Sequence, residues 1–278
     1  MTATTILDVS DADRQQFADE GYVIFERAIP EELLQMLREE CSYFVGYMDA
    51  CIDAGRLKEH ALSSRNNRYF VNDMYRYSQR LWQFIFSDLM AEVCKATIGD
   101  TAYLFNEQWV VKGAEQGMKF SWHQDSGYVK AYDPDTTHAP YVTCWCTLDD
   151  VSEANGTVYL LPHSRGGTRG KIITHDRDAD TNDLIGYTGD DHGLMIEVPA
   201  GSIVAFSSYN LHSSGANRTD RMRRVYLPQY TPAPIVHSNT GEQQNLAVPF
   251  LKDGSNVYDH ANDKAENWGG LPPPSLAA

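Results

Sequence analysis

The chain has 278 residues, a formal net charge of −15 and 42% hydrophobic residues, the balance of a globular protein long enough to bury a core without disulfides. Its acidity, and the lack of any Lys/Arg run longer than Arg223–Arg224, argue against nucleic acid or an anionic membrane as a partner. No apolar run approaches the ~20 residues of a membrane span, Met1 to Ser10 lacks the pattern of a secretory signal, and five cysteines in that setting read as reduced thiols, so a cytoplasmic protein is expected.

The first third reads as helical. Ser10 to Asp13 has the form of a capping box, and Gly21 ends the helix it opens before a short strand-like run, Tyr22 to Phe25. Pro30 with Glu31 and Glu32 opens a second helix. Along it, Leu33, Leu34, Leu37, Cys41, Phe44, Val45 and Met48 recur at helical spacing. A third helix is predicted over 79–97, with Leu81, Trp82, Ile85, Leu89 and Val93 on one face.

After Gly99 the period changes. Short β-branched and aromatic runs at 102–111, 141–148, 156–162, 194–198, 202–207 and 222–230 alternate with Gly, Pro, Asn and Asp clusters, the pattern of a sandwich or jelly roll. The expectation is one domain over 1–268. It would be mainly β with flanking helices: a helical layer at 10–98, a jelly-roll core at 100–250, and a flexible Pro-rich tail at 269–278. In 141–148, Val142, Cys144, Cys146 and Leu148 form one face, expected against the helices. Tyr141, Thr143, Trp145 and Thr147 form the other, expected inside the roll. Cys144-x-Cys146 has no second pair at zinc spacing and reads as buried free thiols. The polar 165–191 segment is longer than a turn requires, so it is read as a functional or disordered loop. Its acidic stretch 176–183 lacks the glycine and closing glutamate of a calcium loop and reads as solvated. His163, His175 and His192, in or beside it, read as solvated or substrate-facing.

One short motif carries chemistry. In Trp122-His123-Gln124-Asp125, residues two apart on an extended chain share a side, so His123 and Asp125 can offer an imidazole and a carboxylate to one metal. Chance alone gives roughly 0.8 such pairs in this composition, so the pair needs company. It has it: His212 enters the turn Ser213 to Asn217, and Arg223 begins another apolar strand. Two His and one carboxylate are the ligand set of non-haem Fe(II) oxygenases, and an Arg is the bidentate partner for a 2-oxo acid's far carboxylate. Arg224 would point to the opposite strand face and Arg221 would lie in the turn, so Arg223 is preferred over these two rivals as the anchor, the other reading being a surface arginine on an edge strand. Gln124, between the two ligands, points away from the metal and is given no role.

The order His123-x-Asp125, His212-Ser-Ser-Gly-Ala-Asn217, Arg223 resembles the phytanoyl-CoA dioxygenase family of Fe(II)- and 2-oxoglutarate-dependent oxygenases. So do Phe17-x-x-x-Gly21-Tyr-Val and Asn155-Gly-x-x-Tyr-Leu-Leu-Pro-x-Ser164. The resemblance implies a double-stranded β-helix (jelly-roll, cupin-like) core. It implies Fe(II) on His123, Asp125 and His212, and 2-oxoglutarate held by Arg223 and Ser214 and lined by Gln108 and Trp145, with O2 as the second co-substrate. The implied reaction hydroxylates an unactivated C–H bond of a small metabolite, expected to be a biosynthetic intermediate, and releases succinate and CO2. A carboxylate at 125, where halogenating relatives have a small residue, favours hydroxylation; desaturation, epoxidation and cyclisation share the cofactor chemistry. A cupin-type metalloenzyme without 2-oxoglutarate and a non-catalytic jelly-roll binding protein are the other classes. The family's usual Gly-Ser-His after Leu161-Pro162 is His163-Ser-Arg165 here, a departure outside the metal set. Tyr128, Tyr132 and Thr143 are expected at the substrate opening, and the 126–140 and 165–192 loops are expected to set specificity. A CoA ester suits so acidic a chain poorly, so a small neutral or cationic substrate is preferred.

Overall fold

The computed structural model describes residues 7–59, 63–115, 118–179 and 181–263; the tail expected at 269–278 lies outside them. In α1 (Asp11–Glu20) the capping box forms as read, with Ser10 and Asp13 bonding each other's backbone N–H. Gly21 ends the helix at φ +78°, a left-handed conformation that glycine adopts without strain. After β1 (Tyr22–Phe25), Pro30 caps α2 (Glu31–Asp53), which buries Leu34, Leu37, Cys41, Phe44, Val45 and Met48. The next strand, β2 (Arg68–Asn72), is missed by periodicity and leads through a 3-10 turn at Tyr75–Tyr77. The single helix expected over 79–97 is two, α3 (Gln79–Ile85) and α4 (Asp88–Thr97). Ser87 is extended there and its hydroxyl accepts from the Met90 N–H, restarting the helix.

The strands that follow are β3 (Ala102–Lys112) and β4 (Phe120–His123), then helix α5 (Asp125–Tyr132) and β5 (Val142–Thr147). After β6 (Val158–Leu161) come the short α6 (His163–Gly166), the two-residue strands β7 (Asp176–Arg177) and β8 (Leu184–Ile185), and β9 (Leu194–Met195). The chain continues with β10 (Ile203–Ser207), β11 (Leu211–Ser214), β12 (Arg223–Thr231), β13 (Val248–Lys252) and β14 (Ser255–Asn256). The larger sheet runs β1-β10-β5-β12-β3-β13-β14, with β2 also on β3; the smaller runs β4-β11-β6-β9, and every pairing is antiparallel. This is the mainly β jelly roll expected from the strand spacing. The layer expected to be helical supplies two strands to the larger sheet, β1 at the strand-like run read from the sequence and the unexpected β2.

The two faces of that sheet separate packing from chemistry. Val142, Cys144, Cys146 and Leu148 lie in the core shared with the helices, together with Ile203, Ala205, Tyr226 and Tyr230. Trp145, Val204, Phe206, Val225 and Leu227 form a second cluster inside the roll. On β3 a register break opposite Gln229/Tyr230 reverses the alternation at Phe105. Leu104 before the break and Trp109 and Val111 after it therefore all face the helices. Phe105 itself joins Val129, Tyr141 and Ile235 in a small separate cluster. All five cysteines are buried free thiols.

The 165–191 segment is ordered in part by burial. Asp183, just before β8, is 3% exposed and sits 3.5 Å from the buried Arg68 guanidinium. The solvated reading therefore fails at Asp183: a carboxylate is kept there because a buried cation needs its charge. His163 is also buried, its Nδ1 3.1 Å from the Thr168 hydroxyl. His175 is half-buried, and its Nε2 accepts from the Gln124 N–H at 2.9 Å. Of the three histidines only His192 is exposed.

Glu107, fully buried between the sheet and the helices, accepts from the Tyr75 N–H at 2.7 Å. Burial, and then the charge of Asp73, push its carboxyl up to about 8. The folded protein thus keeps a proton that the unfolded chain loses near the ordinary value of 4.5. Its contribution to stability is full below pH 4.5 and is lost as the pH rises through about 8, by up to about 1.4 kcal/mol per unit. Glu107→Gln keeps the acceptor and should flatten that decline, so the variant gains on the wild type in urea denaturation at pH 8 but not at pH 4.5.

Candidate metal centre

β11 pairs with β4 so that His212 lies directly opposite His123. Each ring is oriented in the same way: His123 Nδ1 is 2.7 Å from the Ser121 carbonyl and His212 Nδ1 is 3.3 Å from the Asn210 carbonyl. A carbonyl can only accept, so both Nδ1 atoms carry the proton and both Nε2 atoms present lone pairs. Burial, followed by the neighbouring His212, lowers the His123 pKa to about 4, so its ring is neutral near pH 7.

Asp125 completes the group. Gln124 stays extended at φ −106° and ψ 138°, which holds Asp125 on the same side as His123 before the chain turns into α5. As the first residue of α5, Asp125 sits at the positive end of that helix. Its Oδ1 lies 3.9 Å from His123 Nε2 and 3.5 Å from His212 Nε2. One ligand atom from each of the three residues falls within a 4.8 Å span, the donor set to hold a divalent metal.

The other carboxylate oxygen is fixed from behind. The Thr143 hydroxyl donates to Asp125 Oδ2, and Gln229 Nε2 donates to the same oxygen at 3.1 Å and to Thr143 Oγ1 at 2.9 Å. Asn106 Nδ2 in turn donates to Gln229 Oε1 at 3.0 Å. Thr143, expected at the substrate opening, therefore works on the carboxylate and is not part of the cavity wall, because β5 places its hydroxyl behind Asp125. Gln229 and Asn106 carried no motif. They become visible only once β12 pairs with β3, Gln229 opposite Asn106.

A cavity of about 530 Å³ opens over the three ligands. Arg223 reaches it fully buried, with Nη2 3.3 Å from the Gly156 carbonyl and the Trp145 ring 5.6 Å away. Its Nε and Nη1 have no hydrogen-bond partner among the described residues. Burial lowers its pKa to about 10, so it remains charged at neutral pH. A buried guanidinium with two idle donors calls for an anion. Its rivals are excluded: Arg224 is bidentate to Asp149 on the other face, and Arg221 is exposed. Ser214 also lines the cavity and accepts from Lys112 Nζ at 2.7 Å, which leaves its own proton to donate. Lys112, buried and held also by the Gly156 and Gly215 carbonyls, gave no signal in the sequence beyond its place at the end of a strand.

Gln108 and Trp145 line the cavity, Trp145 beside Arg223 and Gln108 further along β3 opposite Leu227, and Tyr128 and Tyr132 line its outer part. The Tyr128 ring meets His123 edge-on at 5.5 Å, and Tyr132 is 66% exposed at the rim. Gln124 does point away from the ligands, but it is fully buried and has a structural task. Its amide donates to the Tyr209 and Lys171 carbonyls at 2.6 and 3.0 Å and accepts from the Ile173 N–H at 2.7 Å. It thereby ties the chain before β11 and the segment leading to His175 onto the β4–α5 corner.

Residues 17–225 match the sequence family described as phytanoyl-CoA dioxygenase (PhyH). The chain belongs to that family. It is an oxidoreductase of the iron- and 2-oxoglutarate-dependent class. A relative described as a probable alpha-ketoglutarate-dependent hypophosphite dioxygenase of Stutzerimonas stutzeri is 23% identical over 251 residues, 84% of each chain. Among solved structures, EctD from S. alaskensis with 2-oxoglutarate and 5-hydroxyectoine superposes with a TM-score of 0.66 at 16% identity, covering 88% of this chain and 85% of that one. The carbocyclase SnoK from nogalamycin biosynthesis superposes at 0.64 and 16% identity, covering 87% and 96%. No helix among the described residues is long and apolar enough to cross a membrane.

Losing the support behind Asp125 frees its carboxylate to rotate away from the imidazoles. Thr143→Val and Gln229→Ala should each weaken Fe(II) binding by about 10- to 100-fold. Calorimetric titration of the anaerobic apoprotein checks this, with unchanged circular dichroism as the control for folding.

Proposed function

We propose that this chain hydroxylates an unactivated C–H bond of a small metabolite, with His123, Asp125 and His212 holding Fe(II) and Arg223 and Ser214 holding the far carboxylate of 2-oxoglutarate. The observation that carries the reading is Arg223, a fully buried cation with idle donors in the same cavity as the two-His, one-carboxylate group. When bound, iron with 2-oxoglutarate and O2 supplies the oxidant, releasing succinate and CO2. The protein's part is positional. The Nε2 atoms and Asp125 Oδ1 converge on one point, and Thr143 and Gln229 keep the second oxygen of Asp125 occupied. The buried, apolar surroundings of Val110, Val158, Phe206 and Leu227 exclude water from the Arg223 end. Trp145 and Gln108 flank the co-substrate in this reading, and Tyr128 and Tyr132 meet the substrate at the mouth.

Asp125 in the carboxylate position favours hydroxyl transfer. A solved structure that shares this fold is described as a carbocyclase, so ring closure is the second reading, with the outcome set by how the substrate is positioned. A small-molecule substrate fits the cavity volume.

The test needs no substrate. Fe(II) and then 2-oxoglutarate, added to the apoprotein without oxygen, should give the weak visible charge-transfer band of an iron-bound 2-oxo acid. His123→Ala should abolish it. Arg223→Ala should keep iron but weaken 2-oxoglutarate by about 1.5–3 kcal/mol, roughly 10- to 150-fold in Kd. No band with iron bound overturns the reading.

A further inference from the structure

We propose that the substrate is an uncharged, ring-bearing molecule carrying hydroxyl or carbonyl groups, bound at the Asn106–Gln229 end of the cavity; this rests on the co-substrate reading of Arg223. The two ends of the cavity are set by one strand pair. Along β12 and β3, Arg223 lies opposite Lys112, Leu227 opposite Gln108, and Gln229 opposite Asn106. The six residue steps from Arg223 to Gln229 span roughly 20 Å. The cation thus stands at one end and the Asn106 and Gln229 amides at the other, with apolar side chains and the Gln108 and Asn72 amides between them. Asp125 contacts Gln229 and so places the metal group beside the amide end.

Charge is what this end lacks. Besides the metal-ligand histidines, the lining side chains able to carry charge are Asp125 and Arg223 alone among the described residues, and both are committed to the metal group and the co-substrate. Arg68 and Lys112 are buried close by but do not line the cavity: Arg68 faces Asp183, and Lys112 is held by Ser214 and two carbonyls. Asp133, at the end of α5, is turned to Thr136 and Ser238, whose hydrogen bonds hold its carboxyl well below the usual range. A phosphonate, carboxylate or ammonium on the substrate would lose its hydration here without a partner of opposite charge.

The polar groups at the Asn106–Gln229 end are amides with unused valences. A carboxylate only accepts, so Gln229 must turn Nε2 to Asp125; its Oε1 then takes Asn106 Nδ2 and leaves Asn106 Oδ1 for the cavity. Gln244 donates Nε2 to Thr136 at 2.6 Å and Asn245 Oδ1 accepts from the Leu246 N–H at 2.9 Å. This leaves Gln244 Oε1 and Asn245 Nδ2 without protein partners among the described residues. Two acceptors and one donor suit hydroxyl groups and a carbonyl. Phe105 and Tyr141, 4.9 Å apart between ring centres, and Tyr128 and Tyr132 on α5 supply flat apolar surface for a ring system.

The experiment varies charge on one ring system. 2-Acetylnaphthalene (neutral), 2-naphthoate (anionic) and 2-(aminomethyl)naphthalene (cationic) are titrated anaerobically into the Fe(II)–2-oxoglutarate protein and read by perturbation of the charge-transfer band. The neutral probe should bind at least tenfold tighter than either charged one. Gln244→Glu, which puts an anion at the amide end, should narrow or reverse the gap for the cationic probe while leaving the band itself in place. A charged probe within tenfold of the neutral one, no binding by any probe, or no response to Gln244→Glu overturns the proposal. Failure of the underlying co-substrate reading is seen separately, as a band that never forms before any naphthalene is added.

Discussion

The site rests on one register: His212 opposite His123 across β11 and β4. Side chains directly opposite on an antiparallel pair lie close on the same face, so this pairing alone brings two imidazoles 4.2 Å apart between ring centres. A slip of one residue would turn His212 to the other face and leave no metal group. The register is held from both sides. β6 pairs along all of β11, and Gln124 bonds the Tyr209 carbonyl three residues before His212. The residue between the two first ligands thus anchors the strand that carries the third.

The second dependence is on the larger sheet. β5, β12 and β3 lie side by side, and their inward residues Thr143, Gln229 and Asn106 form a hydrogen-bonded chain ending on Asp125. The metal group therefore bridges the two sheets: histidines from the smaller, support for the carboxylate from the larger. The reversal of alternation at Phe105 makes this compatible with packing, since it lets β3 present Leu104 to the helices and Asn106 to the site on one strand.

Three basic side chains are buried around the Arg223 end of the cavity. Arg68, Lys112 and Arg223 are all buried there, and Asp183 offsets the first. Lys112 is surrounded by oxygens of Ser214, Gly156 and Gly215, whereas Arg223 keeps two donors idle. That asymmetry separates a basic group already satisfied by the fold from one with donors still free to take a ligand. The burial of Asp183 has a related origin: the acidic loop turns this one carboxylate inward to the buried Arg68 guanidinium.

By itself the sequence determined the strand-rich architecture, the caps at Ser10 and Gly21, and the two faces of 141–148, because these follow from local period and backbone geometry. It also determined which residues to bring together, since His123-x-Asp125 is a local motif and His212 and Arg223 follow it in the order of a known family. Tertiary structure decided everything that depends on partners distant in the chain. Thr143 serves Asp125 and not the substrate; Asp183 is buried; Gln124 is a clamp; and Gln229, Asn106 and Lys112 belong to the site. None of these six has a local signature, because an amide, a hydroxyl or a lone charge takes its role from what the opposite strand or loop places within 3 Å or so of it. The break at Ser87 was the exception, a cap written in the sequence but masked by the helical period running through it.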